Sequence, residues 1–105
     1  MEAEIKEIED ILQTVKDPEI PVISIVDLGV LQKVEKEGDE FVIYITPTYS
    51  GCPAMDVIEE DILSIMSEKG HKVRVKNVLS PVWTTDFITE RGRMAMKEYG
   101  IAPPL

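Results

Sequence analysis

"EFVIYITPTYSGCPAMDVIEEDILSIMSEKG", residues 40–70, changes its hydrophobic period part-way, and that change decides the fold. Phe41, Ile43 and Ile45 alternate with Val42, Tyr44 and Thr46, so a strand runs here that is apolar on both faces near its middle. Such a strand belongs in the centre of a sheet. From Pro53 the spacing becomes helical, with Met55, Ile58, Ile62 and either Ile65 or Met66 on one stripe. Pro53 suits a first helical turn, where its missing N–H is not needed, and Gly70 is a natural stop.

The flanking segments extend this core. "VLQKVEK" (30–36) and "EFVIYIT" (40–46) enclose Gly38-Asp39 and read as a β-hairpin. Upstream, "EAEIKEIEDILQTVK" (2–16) places Ile5, Ile8, Ile11 or Leu12, and Val15 at helical spacing, with early carboxylates that favour the positive end of the helix dipole. That helix is expected to stop near Lys16, because Asp17 precedes Pro18. "DPEIPVISIVDLGV" (17–30) reads as an irregular, proline-stiffened segment. "HKVRVKNVL" (71–79) reads as a strand with Val73 and Val75 inward. After Pro81, "WTTDFITERGRMAMKEYG" (83–100) reads as a last helix, with Thr84 as N-cap, Trp83 stapled onto Ile88 and Gly100 as the stop. The order α-β-β-α-β-α predicts a single α/β (α+β) domain over residues 1–105, a mixed sheet with helices packed on it.

Composition narrows the chemistry. The chain has 105 residues, 44% of them hydrophobic, which suits one two-layer core. No apolar run is long enough to span a bilayer, and the acidic start does not resemble a signal peptide, so a cytoplasmic setting is expected. Eleven basic against 20 acidic residues give a net charge of −9. Lys72, Arg74 and Lys76 alternate along one strand face, but against that background they read as a solvated face, and nucleic-acid binding is not expected. The excess acidity favours a basic partner. One Cys and one His exclude a disulfide framework and cannot fill the roughly four ligand positions of a structural zinc or iron–sulfur site alone.

Cys52 is the first candidate for chemistry. With Pro53 as the first helical residue, Cys52 is the N-cap, where unpaired N–H groups and the helix dipole stabilise a thiolate. No His or Lys lies beside it in sequence to act as a base. Thr84, Thr85 and Asp86 are the second group, able to cap a helix or to surround Cys52 if two helix starts face each other. Asp27, before Gly29, fits equally a turn or a site. His71 reads as an exposed surface histidine, Tyr49 is ambiguous, and the five methionines read as core fillers.

Taken together, "DPEIPVISIVDLG", "ITPTYSGCPAM", "LSPVWTTDF" and "YGIAPP" resemble, in order, the PaaD-like branch of the SufT-like metal–sulfur cluster assembly family, over about residues 12–104. The resemblance implies a compact α/β domain that helps to mature iron–sulfur or iron-containing client proteins. It maps the key thiol onto Cys52 and its polar surroundings onto Asp27, Thr84, Thr85 and Asp86, with Glu19 less surely among them. In the phenylacetyl-CoA ring-epoxidising oxygenase system, the PaaD protein is accessory rather than the oxygenase. PaaD proteins typically continue beyond the "YGIAPP" stretch into a cysteine-bearing tail, whereas this sequence runs to Leu105, so the general assembly role is expected ahead of the phenylacetate-specific one.

Three readings follow. The first is an accessory factor in which Cys52 transiently ligates iron or an iron–sulfur cluster, the other ligands coming from a second subunit or a client. Its partners would be client iron proteins and other assembly proteins, and a homodimer could bring two Cys52 thiolates to one cluster. The second is a metal-free client-binding module. The third, ranked last, is a thiol enzyme with Cys52 as nucleophile and Thr84 or Thr85 stabilising developing charge.

Overall fold

The structure is a computed structural model that describes residues 2–18, 21–48, 54–79 and 82–100. In chain order it has helix α1 (Glu2–Leu12), a one-turn helix α2 (Ile25–Leu28) and strands β1 (Leu31–Glu37) and β2 (Glu40–Ile45). Helix α3 (Ala54–Glu68), strand β3 (Val73–Asn77), a 3₁₀ turn (Thr85–Phe87) and helix α4 (Glu90–Tyr99) follow. This is a small α+β domain with a mixed three-stranded sheet, as the sequence predicts. β1 pairs antiparallel with β2 across the Gly38-Asp39 turn, and β2 pairs parallel with β3.

β2 is the central strand, in the order β1-β2-β3, and both Val42 and Ile43 are fully buried. Phe41, Ile43 and Ile45 join Ile8 and Leu12 of α1 and Met55, Ile58, Ile62 and Met66 of α3 in one apolar core. Of the two candidates for the α3 stripe, Met66 is fully buried and Ile65 half-buried. Val73 and Val75 pack against the same cluster from the edge strand. Burying such side chains stabilises by about 1.5–3 kcal/mol each, before the cost of ordering the chain.

The opposite sheet face is charged and open. Val42 is buried there between its register partners Glu35 and Arg74, whose long stems shield it while their charges stay in water. Arg74 pairs with Glu40 at 2.8 Å and Glu37 at 3.4 Å, and Lys33 and Lys76 sit over the Tyr44 ring at 4.7 and 5.8 Å. The alternating basic residues of β3 are therefore a solvated face whose charge is largely answered by its neighbours. His71 differs from expectation: it is half-buried, its ring edge-on to Phe41 with centroids 6.0 Å apart.

Three boundaries also differ. α1 ends at Leu12 rather than near Lys16, because the Thr14 hydroxyl donates to the Ile11 carbonyl at 2.7 Å and the chain then pairs back, with Lys16 bridging Ser24. The segment expected to be irregular contains α2, whose N-cap Ser24 accepts from the Asp27 N–H at 3.0 Å. The last helix is broken. Thr84 caps only the 3₁₀ turn, Ile88 is extended and buried, and α4 starts at Glu90 with Thr89 as its cap. Ending the first turn early lets Ile88 reach the core, which an unbroken helix would not. Gly100 terminates α4 as expected.

Candidate functional site

Both parallel strands end at the same side of the sheet, and the chain gathers there. The buried Thr46 donates its N–H to the Val30 carbonyl at 2.9 Å, and Val78 donates to the Ile45 carbonyl at 2.8 Å. The end of α2, the start of β1 and the two strand ends thus form one ledge. Open sheets of parallel strands commonly bind ligands beyond such carboxyl ends.

The ledge is closed by a corner between α2 and α4. Gly29 ends α2 at φ +86°, and its N–H and that of Val30 return to the carbonyls of Val26 and Ile25. A Cβ on Gly29 would lie 2.4 Å from the Phe87 Cβ, so the 3₁₀ turn packs on bare backbone. Gly92, inside α4, makes the reciprocal approach: a Cβ there would lie 2.8 Å from the Asp27 carbonyl oxygen. The Trp83 indole N–H donates to the Leu28 carbonyl at 2.9 Å, tying the segment before the turn to α2.

Asp27 is the hub of this corner. Its carbonyl accepts from the Thr89 N–H at 2.8 Å, and Thr89 in turn caps α4 by accepting from the Gly92 N–H at 3.0 Å. The Asp27 carboxylate accepts the Thr89 hydroxyl at 3.1 Å on Oδ1 and a two-pronged Arg91 guanidinium, Nε to Oδ2 at 2.9 Å and Nη2 to Oδ1 at 3.2 Å. The carboxylate is 12% exposed and the Arg91 side chain 69%, so these are charge-assisted bonds whose acid end is shielded while the guanidinium stays wet. Hydrogen bonding to Asp27, then its charge, raises the Arg91 pKa above its ordinary value.

The other predicted site residues lie along this rim. Thr84 is exposed and accepts from the Asp86 N–H at 3.2 Å, while Asp86 itself is exposed. Thr85 is half-buried and its carbonyl receives Arg93 Nη2 at 2.8 Å. The 3₁₀ turn and α2 therefore bring Asp27, Thr84, Thr85 and Asp86 to one side of the molecule through the Gly29–Phe87 contact. Cys52, Pro53, Tyr49 and Glu19 lie outside the described residues, so the expected N-cap thiol does too. Among the described residues, no three His, Cys, Asp or Glu side chains converge to hold a metal ion. Among the described residues, no helix is long and apolar enough to cross a membrane.

Thr89, Arg91 and Gly92 are central to the corner and absent from the sequence-based set. The signals for Thr89 and Gly92 are nonetheless in "TERG": a Thr before an acidic first turn is a cap, and a glycine inside a helix marks close backbone approach. Arg91 carries no such signal, since its partner is 64 residues away.

Residues 5–80 match the family described as iron-sulfur cluster assembly protein. An Escherichia coli (strain K12) protein, provisionally named as one of the subunits of 1,2-phenylacetyl-CoA epoxidase, is 44% identical over 102 residues, 96% of this chain. The chain spans 62% of that relative's length. A Porphyromonas gingivalis (strain ATCC BAA-308 / W83) protein named Fe-S protein maturation auxiliary factor is 41% identical over 92 residues, 85% of this chain and 84% of the relative. A crystal structure of a domain of unknown function from Bacillus anthracis superposes with a TM-score of 0.83 at 28% identity, covering 91% of this chain and 93% of that one. Matched over most of its core and aligned almost end to end with named relatives, the chain belongs to the iron–sulfur cluster assembly protein family.

Proposed function

We propose that this protein is an accessory factor in iron–sulfur cluster assembly or in the maturation of iron-containing client proteins, with Cys52 as a transient ligand of the cargo. The observation that carries the reading is the family match, which spans residues 5–80 and includes the chain's only cysteine. The P. gingivalis relative's name, a maturation auxiliary factor, supports an accessory role.

Physical chemistry supports the division of labour. Cys52 stands two residues before Ala54, the first residue of α3, in the sequence. One thiolate supplies one of the roughly four ligands of an iron–sulfur cluster. An incomplete ligand set exchanges its cargo, which suits delivery. Clients, assembly partners or a second copy would supply the rest. Asp27 is fully engaged by Thr89 and Arg91, so its role is to position the rim rather than to ligate iron. Thr84 and Asp86, which are exposed, are the groups of this rim left to meet a client or cargo. The natural setting is the cytoplasm.

The test is anaerobic incubation with ferrous iron, sulfide and a small thiol, comparing the parent with Cys52→Ala by retained iron and visible absorption. Iron and charge-transfer bands in the parent alone support the reading. Equal retention in both, or none in either, removes Cys52 as a ligand in the isolated protein. A metal-free client-binding module is the second reading, favoured by the engagement of the Asp27 carboxylate with Thr89 and Arg91. It predicts that Cys52→Ser leaves client binding and maturation intact.

A further inference from the structure

The charge of this protein is unevenly placed. α1 carries five carboxylates and one lysine, and α3 carries five carboxylates and no base. Those two helices account for the whole net charge of −9, and the remaining ten acidic and ten basic side chains cancel. α1 and α3 cover the same face of the sheet, so one side of the molecule is strongly acidic while the open sheet face is balanced.

Between the two helices runs a groove of about 670 Å³ with the half-buried Ile11 and Ile65 in its lining. A second hollow shares Thr14 and Ile65 with it and extends it along α3. Glu7, Asp10, Asp61 and Glu68 border the pair of hollows. Lys6 and Lys69 border the first and Lys16 the second, which leaves the carboxylates in excess, and Lys6 is within 3.4 Å of Asp10. The two hollows share no lining residue with the rim around Asp27 and Thr84.

The geometry points to this groove as the docking site for a basic amphipathic helix of a partner protein, its apolar stripe on Ile11 and Ile65 and its lysines or arginines over the acidic borders. Charge selects this occupant. A second copy would set one acidic helical face against another, and anionic lipid or nucleic acid would be repelled in the same way. A cationic helix with an apolar face satisfies both the floor and the borders, the helix-in-groove mode of recognition. Neither Cys52 nor iron takes part in this docking.

The probe is a labelled synthetic peptide of leucine and lysine, about five helical turns long, with leucines on one face. A scrambled peptide of identical composition is its control. Anisotropy titration of the whole protein, with amide chemical shifts mapped in parallel, gives affinity and location. The amphipathic peptide is expected to bind about tenfold more tightly than the scrambled one, with shifts on α1 and α3. Ile65→Ser should weaken it by about tenfold at unchanged charge, and Asp61→Asn with Glu68→Gln should flatten its salt dependence. Equal binding of both peptides, shifts on the sheet face, or an unchanged affinity in a folded Ile65→Ser variant would overturn the inference. Concentration-dependent dimerisation through this groove would do the same. The shift map of the parent decides even if the variants fold poorly.

Discussion

Two arginine–carboxylate networks in this molecule use the same chemistry in different surroundings. At the α2–α4 corner, Arg91 meets a carboxylate that is 12% exposed and is also bonded by Thr89. On the open sheet face, Arg74 meets Glu37 and Glu40, whose side chains are 53% and 24% exposed. In the first, removing a partner leaves a shielded carboxylate short of hydrogen bonds; in the second, water replaces whatever is lost. The difference lies in burial rather than in the ion pair. It marks the corner as the part of the fold that holds the candidate rim in place, and the sheet face as a solvated surface.

The comparison can be broken most severely at Gly29. Gly29→Ala forces an L-residue into a left-handed backbone and a Cβ against Phe87, and should cost about 3 kcal/mol or more in urea unfolding. A loss under about 1 kcal/mol would mean that the corner is loosely packed. Asp27→Ala comes next, at about 2 kcal/mol, since it strips Thr89 and Arg91 of a shielded acceptor. Arg74→Ala on the sheet face should cost about 0.5 kcal/mol or less by the same measurement. Equal losses at Asp27 and Arg74 would erase the distinction.

The smallest effect is a pH dependence on the exposed surface. Glu35 is held below the usual carboxylate value of 4.5 by its hydrogen bond from Tyr44, and Tyr44 is held above 10.0 by the same bond. Glu4 is lowered chiefly by its hydrogen bond from Lys36 and then by that charge. The carboxylate contributions are present above pH 4.5 and are lost as pH falls through the lowered folded values. The tyrosine contribution is present below pH 10.0 and is lost as pH rises through the raised one. Tyr44→Phe should remove the alkaline arm and shrink the acid arm in a stability–pH profile, leaving the Glu4 part of the latter. An unchanged profile would show that the pair is broken in solution.

Most of the fold was legible because periodicity is local. The change of period between Thr46 and Pro53 named a central strand and a following helix, and the turn at Gly38-Asp39 fixed their neighbour. What periodicity missed was set by distant partners. α4 is capped by Thr89 rather than Thr84 because Asp27, 62 residues away, accepts the Thr89 hydroxyl and its backbone N–H. The same distance hid Arg91. Asp27 could be singled out by its place before Gly29, but only the folded chain shows that its carboxylate is occupied by α4. His71 follows a helix stop and looked like surface until Phe41 gave it a face to pack on.

The most direct test of an exchangeable cargo site is transfer. The protein, reconstituted anaerobically with iron and sulfide, would be mixed with the apo form of a [2Fe–2S] protein in the presence of an iron chelator, and the acceptor's own spectrum followed. The account predicts that the acceptor gains its cluster faster than from free iron and sulfide, resists the chelator, and loses that advantage with Cys52→Ala. Iron that stays on this protein, passes to the chelator, or reaches the acceptor equally well without Cys52 would contradict it.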